Sequence, residues 1–242
     1  ETDTMPNWAG SNWYYLAYLM RGISNFQFPI SKYEKVFKYW MPVDWYNGGM
    51  EHTTLHLLYS RFIYKFLYDI GAAPAPEPYK KRTSHGIVLA EDGRKMSKSF
   101  GNVINPDEIV GKYGADTLRM YEMFMGPFDQ AISWSTRGVK GVYRFLEKTW
   151  RICEKVQSQK SKVKSTSQNP KIDGFLHRTI KKINGDLESC KFNTAISSLM
   201  ILANVLEQED EVSLGQFSLF LILLTPFAPH IAEELWRKLG NK

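Results

Sequence analysis

Two lysines three residues apart, with serines beside them, make up Lys95-Met96-Ser97-Lys98-Ser99, and Gly101-Asn102 follows. One short loop that offers ammonium groups, hydroxyls and backbone N–H donors suits several phosphate oxygens together, so a triphosphate is its natural guest. A solvated basic turn is the plainer reading of lysine and serine alone. A second cluster is Gly48-Gly49-Met50-Glu51-His52 with His56 after it. A double glycine before a helix lets backbone come close to a nucleotide, and Glu51 in the first turn could accept ribose hydroxyls. His52 and His56 are four apart and would share one face of a helix. Metal chelation is one use of that spacing, but no third ligand is near in sequence; half-buried histidines with ordinary hydrogen-bond partners are another.

These residues need elements to hold them. Ile87, Val88 and Leu89 read as a short buried strand, Glu91-Asp92-Gly93 as a turn, and Asn105-Pro106-Asp107-Glu108 as a helix start with an N-cap and proline at the first position. Upstream, aromatics crowd Trp8 to Tyr18 at spacings that suit a helix beginning near Ser11, a loop spans Arg21 to Tyr33, and Tyr39 to Tyr46 alternates like a strand that ends in a tight turn at Asn47-Gly48-Gly49. A helix is expected from about Met50 to Ile70, with Leu55, Leu58, Phe62 and Phe66 on one face, then a proline-rich connection from Ala72 to Lys81. Asp107 to Lys112 and Ala115 to Met125 read as two short helices, and Phe128 to Thr136 as irregular. From Gly138 onward the period is helical, with five helices marked by Val139 to Cys153, Phe175 to Leu187, Phe192 to Leu206, Phe217 to Leu224 and Ala228 to Leu239. The expected architecture is an α/β Rossmann-like half-domain of parallel strands with helices over residues 1–136, then an all-α helical bundle over 137–242 in which 157–170 is a mobile loop.

Composition excludes several classes. The 242 residues are 43% hydrophobic and 14% aromatic, as in a folded globular protein and unlike a disordered one. Thirty-one Lys and Arg against 25 Asp and Glu give +6, compatible with a polyanionic partner without requiring one. From Arg151 to Lys191 ten basic residues face four acidic ones, which makes this the best stretch for an RNA backbone, against the alternative of a solvated helix surface. Cys153 and Cys190, far apart in helical patterns, suggest neither a zinc knuckle nor a disulfide and fit a reducing cytosol. No apolar run approaches a membrane span, and Glu1-Thr2-Asp3-Thr4 reads as the middle of a longer chain.

Lys-Met-Ser-Lys-Ser with Gly101-Asn102 is similar to the phosphate-loop signature of class I aminoacyl-tRNA synthetases, and Lys95 to Asp116 resembles their leucyl branch. The resemblance implies that Lys95 and Lys98 hold the β- and γ-phosphates of ATP, with Met96, Ser97 and Ser99 in the same loop, and that Mg²⁺ accompanies the nucleotide. It places backbone groups of Ile87 and Val88 on the adenine edge, beside the nucleotide contacts read above for Gly48, Gly49 and Glu51, and Lys112 to Arg119 as a buttress of the loop. Gly48 to His52 through His56 to Tyr59 is similar to a leucyl-specific segment whose two histidines shape the leucine pocket. Ser11 and Tyr14 match positions that line that pocket, although a second serine of the family is replaced by Asn12, and His85 stands where glutamine is usual. Pro226 to Trp236 is typical of the family's anticodon-binding helical domain, as packing rather than chemistry.

The resemblance implies leucine, ATP and tRNA(Leu) as substrates in the cytoplasm, with no membrane. The family's His-Ile-Gly-His motif occurs nowhere in the sequence, nor do its editing insertion, zinc module or C-terminal extension. The chain is therefore expected to need the N-terminal half of the catalytic domain, in cis or as a second subunit, and to be inactive alone. The alternatives are a non-catalytic tRNA-binding module descended from such an enzyme, and a valyl, isoleucyl or methionyl relative.

Overall fold

The structure, a computed structural model, describes residues 8–20, 34–159 and 169–240. Packing divides the chain after Gly86 into two compact units, Glu1–Gly86 and Ile87–Lys242. The loop expected over 21–33 lies outside the described residues.

In the first unit a 3-10 turn, Gly10–Asn12, leads into α1 (Tyr14–Leu19), and α2 is Glu34–Trp40. The strand expected from Tyr39 is therefore shorter: Tyr39 and Trp40 end α2, and only Tyr46–Gly49 forms β1. Pro42 explains the difference, because a residue without an N–H that disfavours helix before it closes α2 and cannot serve inside a ladder. β1 pairs in parallel with β2 (Arg82–His85), Tyr46 opposite Arg82 and Gly49 opposite His85. A parallel pair needs a crossover, and α3 (His56–Asp69) supplies it.

The long helix expected from Met50 is broken. Met50–Thr53 is a 3-10 turn, and α3 begins only at His56, after Leu55 at φ −111° and ψ −105°. Thr53 Oγ1 donates to the Met50 carbonyl at 2.7 Å and accepts from Arg82 on β2 at 2.6 Å, so the turn is tied down before the helix can start. His52 and His56 thus lie on two elements rather than one helix face.

The apolar face of α3 also lies on the unexpected side. Leu58, Phe62 and Phe66 are exposed, at 53%, 72% and 55%, while His56, Ser60 and Tyr64 point inward. His56 and Ser60 are satisfied there, Ser60 Oγ by the Tyr79 hydroxyl at 2.9 Å, whereas the Tyr64 hydroxyl has no hydrogen-bond partner among the described residues. The proline-rich connection is clamped to α3 by Glu77, which accepts two bonds from Arg61, at 2.8 and 2.7 Å, and pairs with Lys65 at 2.8 Å. Those cations, Arg61 first, hold its carboxyl down at about 2. The unit's core is Tyr15, Leu16, Met20, Phe37, Met41, Tyr64 and Ala73.

The second unit opens with β3 (Val88–Leu89), which pairs in parallel with β4 (Ile132–Ser133), a strand inside the stretch expected to be irregular. Between them run α4 (Pro106–Tyr113) and α5 (Ala115–Phe124). Five helices follow: α6 (Thr136–Gln159), α7 (Pro170–Glu188), α8 (Phe192–Gln208), α9 (Leu214–Leu224) and α10 (Pro229–Lys238). Of the mobile loop expected over 157–170, Gln157–Gln159 complete α6, Asn169 caps α7 through the Lys171 N–H at 3.0 Å, and 160–168 lie outside the described residues. One core, with Val142, Ile152, Leu176, Leu199, Phe217, Phe220 and Leu235 among its members, runs from α5 to α10. Met96, within the lysine–serine loop, and Ile104, after it, are half-buried against it. Among the described residues no helix is long and apolar enough to cross a membrane.

Candidate active site

In the first unit a cavity of about 510 Å³ opens beside β1 and the turn after it. Tyr14, His52, His56, Gly48, Gly49 and Glu51 all line it, together with Tyr15, Tyr46 and Tyr79. His56 organises its wall. Its Nε2 lies 2.8 Å from the Ser11 carbonyl, an acceptor only, so Nε2 carries a hydrogen and donates. In the neutral ring Nδ1 is then the acceptor, and Tyr46 OH donates to it at 2.8 Å. Burial raises the Tyr46 phenol pKa, which keeps that proton on. The two rings stack at 5.8 Å, and Tyr79 lies 4.6 Å from Tyr46. Burial, and after it Tyr15 and Tyr79's mutual repulsion among other phenols, also raises Tyr15, and burial pushes Tyr79 up to about 12. The wall on this side is thus aromatic, with Glu51 the acidic residue of the lining.

Ser11 takes part through its carbonyl; its hydroxyl donates to the Trp8 carbonyl at 3.0 Å and is not turned to the cavity. Asn12 is buried, and its Oδ1 has no partner among the described residues, so the departure from serine leaves an unsatisfied acceptor behind the wall. His52 packs edge-on against Trp8 at 5.8 Å and lies 6.4 Å from His56. Gly49 is constrained by Glu51, whose carboxylate folds back so closely that a Cβ at Gly49 would overlap it. His85, given no role from sequence, also borders the cavity.

In the second unit the lysine–serine loop is held by its own polar groups. Asn102 Oδ1 accepts from the Ser97 N–H at 2.9 Å, and its Nδ2 donates to the Lys95 carbonyl at 3.3 Å. Ser97 caps the 3-10 turn Lys98–Phe100, its hydroxyl 2.7 Å from that of Ser99, and Gly101 closes the turn at φ +63°. Lys95 and Lys98 are exposed, and among the described residues neither ammonium has an ion-pair partner. The one salt bridge beside them is Arg94 to Asp92 at 2.6 Å, which holds the Asp92 carboxyl below its usual range. The loop therefore presents two uncompensated positive charges on a preformed scaffold, an arrangement for an anion of several oxygens. Ile87 and Leu89 spend their carbonyls on the N–H groups of Ile132, at 3.1 Å, and Trp134, at 2.9 Å. Alternation along a parallel ladder turns the Val88 N–H and carbonyl to the other edge, open to a ligand; the Ile87 carbonyl is already used.

The basic stretch is less available than its charge count implies. Arg151 and Lys148 pair with Glu207, Lys171 with Glu209, and Lys182 with Asp186, while Lys155 donates to backbone carbonyls of Glu207 and Glu209. Among the described residues no group of three His, Cys, Asp or Glu side chains is placed to hold a metal. Sequence reasoning missed Tyr46, read as strand only, and Asp116, read as part of a buttress. Neither carries a local signal, because their partners, His56 and His230, are distant in sequence.

Comparisons with known proteins bear on both units. A family model described as tRNA synthetases class I (I, L, M and V) matches residues 13–135, and one described as the anticodon-binding domain of tRNA ligase matches 170–242. A leucine–tRNA ligase of Alkaliphilus oremlandii (strain OhILAs) is 54% identical over 244 residues, covering 99% of this chain and 29% of the relative. The leucyl enzyme of Agrobacterium radiobacter K84, solved as a ternary complex with tRNA and LeuAMS, superposes with a TM-score of 0.86 at 34% identity, over 99% of this chain and 32% of that one. A methionyl-tRNA synthetase of Mycobacterium tuberculosis, solved with methionyl-adenylate, shares the fold at a TM-score of 0.69 and 18% identity, over 97% of this chain and 50% of that one. The chain spans less than a third of the length of the leucine-specific relatives it matches.

Proposed function

The chain belongs to the class I tRNA synthetases of the isoleucyl, leucyl, methionyl and valyl group, and from that premise we propose that it serves a leucine–tRNA ligase. In this reading residues 1–136 are the C-terminal half of the catalytic domain and 137–242 an anticodon-binding-type bundle that contacts tRNA(Leu). Leucine's carboxylate attacks the α-phosphorus of ATP and pyrophosphate leaves; a terminal tRNA hydroxyl then attacks the leucyl carbonyl of the adenylate, and AMP leaves. No side-chain nucleophile is needed; the chain positions the reactants and neutralises charge. Lys95 and Lys98 receive the β- and γ-phosphates, Ser97 and Ser99 add hydroxyls, Val88 offers backbone to the adenine, and Gly48, Gly49 and Glu51 take the ribose side. Tyr14, His52 and His56 bound the leucine side chain, with Ser11 behind His56.

The observation that carries the leucine assignment is the His56 wall. Both ring nitrogens are spent on protein groups, so the face His56 offers to a substrate is aromatic and carries no free polar atom, as a branched aliphatic side chain requires. Mg²⁺ fits only as the counter-ion that the triphosphate brings. Glu91 is engaged by the Thr136 N–H and Asp92 by Arg94, which leaves the loop no carboxylate for a resident metal. The outward Leu58, Phe62 and Phe66 of α3 support a need for the rest of the enzyme, since an apolar helix face is normally covered. We place the enzyme in the cytoplasm.

The test replaces the matching segment of the 54%-identical relative with this chain and measures amino-acid-dependent ATP–pyrophosphate exchange. Exchange with leucine, and not with valine, isoleucine or methionine, is the expected result. Binding of tRNA without exchange would favour a non-catalytic module, and exchange with another amino acid a sister enzyme. In the same chimaera Gly49→Ala is expected to raise the KM for ATP by about tenfold, because the added methyl turns the Glu51 carboxylate away from the ribose hydroxyls, and a hydrogen bond to a charged group is worth about 1.5–3 kcal/mol. An unchanged KM would remove Glu51 from the ribose site.

A further inference from the structure

A loop that stabilises a leaving pyrophosphate has to be held still relative to something, and in the second unit the anchors are two carboxylates that bracket it in sequence. Helix starts leave N–H groups without partners and carry a partial positive charge. α10 begins with Ala228 in the capping position, which has no side-chain acceptor, and Pro229 at N1. Its missing cap comes from α5. Asp116 Oδ1 accepts from the His230 N–H at 3.4 Å and from His230 Nδ1 at 2.8 Å, and Oδ2 accepts from the Ile231 N–H at 2.7 Å. The Asp116 side chain is 9% exposed, so these bonds form largely away from water. Asp116 can reach α10 because Gly114, at φ +86°, makes the corner between α4 and α5 in a conformation other residues rarely adopt.

The second anchor lies before the loop. Glu91, four residues ahead of Lys95, accepts the Thr136 N–H at 2.8 Å, and this bond holds its carboxyl below the usual range. Thr136 is the first residue of α6, and the Gly138 N–H two residues on donates to Ser135 Oγ at 3.2 Å. Each end of the segment that carries Lys95 to Ser99 is thus pinned by a carboxylate to the start of a different bundle helix. Between the pins Met96, Ile104 and Ile109 rest on the bundle core, and Arg119 donates to the Pro226 carbonyl at 3.4 Å beside the Asp116 joint.

We propose that Glu91 and Asp116 are positioning residues, a pair of clamps through which the helical bundle fixes the orientation of the Lys95–Ser99 loop. Neither touches substrate. The proposal rests on the reading of that loop as the phosphate loop and of the bundle as the tRNA-binding domain. Its consequence is that a shift of α6 or α10 when RNA docks is passed to the loop through these two bonds and the packing between them. Asp116, buried and using three donors, is the stronger clamp; Glu91, exposed and using one, is the weaker.

The test has two readouts. In the 242-residue chain, amide hydrogen exchange is followed at Ser97, Phe100 and Gly101, whose N–H groups are bonded within the loop. Asp116→Ala is expected to speed their exchange about tenfold, Glu91→Ala about threefold, and the double variant by more than either. Leu199→Ala, a cavity in the bundle core on α8, which carries neither clamp, is the control: it lowers stability and leaves loop exchange within twofold of the parent. Asp116→Asn retains one acceptor, so it covers the case in which the alanine variant does not fold, and its effect is expected between parent and alanine. In the chimaera the double variant lowers kcat of pyrophosphate exchange with the KM for leucine unchanged. Loop exchange within twofold of the parent in the double variant, or equally fast in Leu199→Ala, overturns the proposal. Were the parent chimaera itself silent, the functional reading would fall, while hydrogen exchange would still decide the clamps.

Discussion

Lys98→Ala is expected to lower kcat of leucine-dependent pyrophosphate exchange by about 10²–10³ while the KM for leucine stays within a factor of two, since a donor aimed at developing charge is worth about that much. Three features set the size of this effect. Lys98 opens the 3-10 turn capped by Ser97 and closed by Gly101, so its backbone is ordered before any nucleotide arrives. Its ammonium has no ion-pair partner among the described residues, so binding phosphate breaks no protein contact. The residues assigned to leucine lie in the first unit, before Gly86, which is why their KM is spared. Lys98→Arg should recover part of the loss, because it restores charge with a planar fork in place of a compact point charge. A uniform rise in the KM for ATP with kcat intact would show instead that Lys98 binds ground state and transition state alike, and the electrostatic role would be withdrawn.

The turns within the loop were legible because the polar groups that close them are local. Asn102 is five residues from the Ser97 N–H it accepts, and Asn105 two from the Asp107 N–H it caps. The bundle was legible for a similar reason: Val139, Val142, Leu146 and Cys153 repeat at helical spacing and all are buried. What escaped depends on distant partners. α3 starts at His56 rather than Met50 in part because Arg82, 29 residues on, holds Thr53 in a 3-10 turn. Asp116 meets His230 across 114 residues, and no period signals such a meeting. β4 is two residues long, too short for alternation to register. The stripe Leu58, Phe62, Phe66 was correctly found as a face, but periodicity cannot say which side faces inward. His56, Ser60 and Tyr64 occupy that side because the groups that satisfy His56 and Ser60 belong to Ser11, Tyr46 and Tyr79.

The same dependence on distant partners makes His56 the most sensitive residue of the proposed leucine pocket. His56→Ala removes a 9% exposed ring that joins the Ser11 carbonyl to the Tyr46 phenol, and leaves both without their bond. An orphaned buried polar group costs about 1–3 kcal/mol, and the loss of the stacked ring adds a cavity, so the KM for leucine should rise by about 10²-fold. Two further variants separate the contributions. Tyr46→Phe takes away the donor to Nδ1 and leaves the ring, so its effect should be about tenfold or less. His56→Gln extends an amide that keeps a donor toward Ser11 but offers Tyr46 no acceptor at the Nδ1 position, and should fall between the other two. The KM for ATP should change less than the KM for leucine in each of them, because the lysines lie on the second unit and only Gly48, Gly49 and Glu51 of the nucleotide contacts share the cavity. Were all three variants to raise both constants in parallel, the His56 wall would be acting on the stability of the first unit as a whole, and the leucine assignment would lose the observation that carries it.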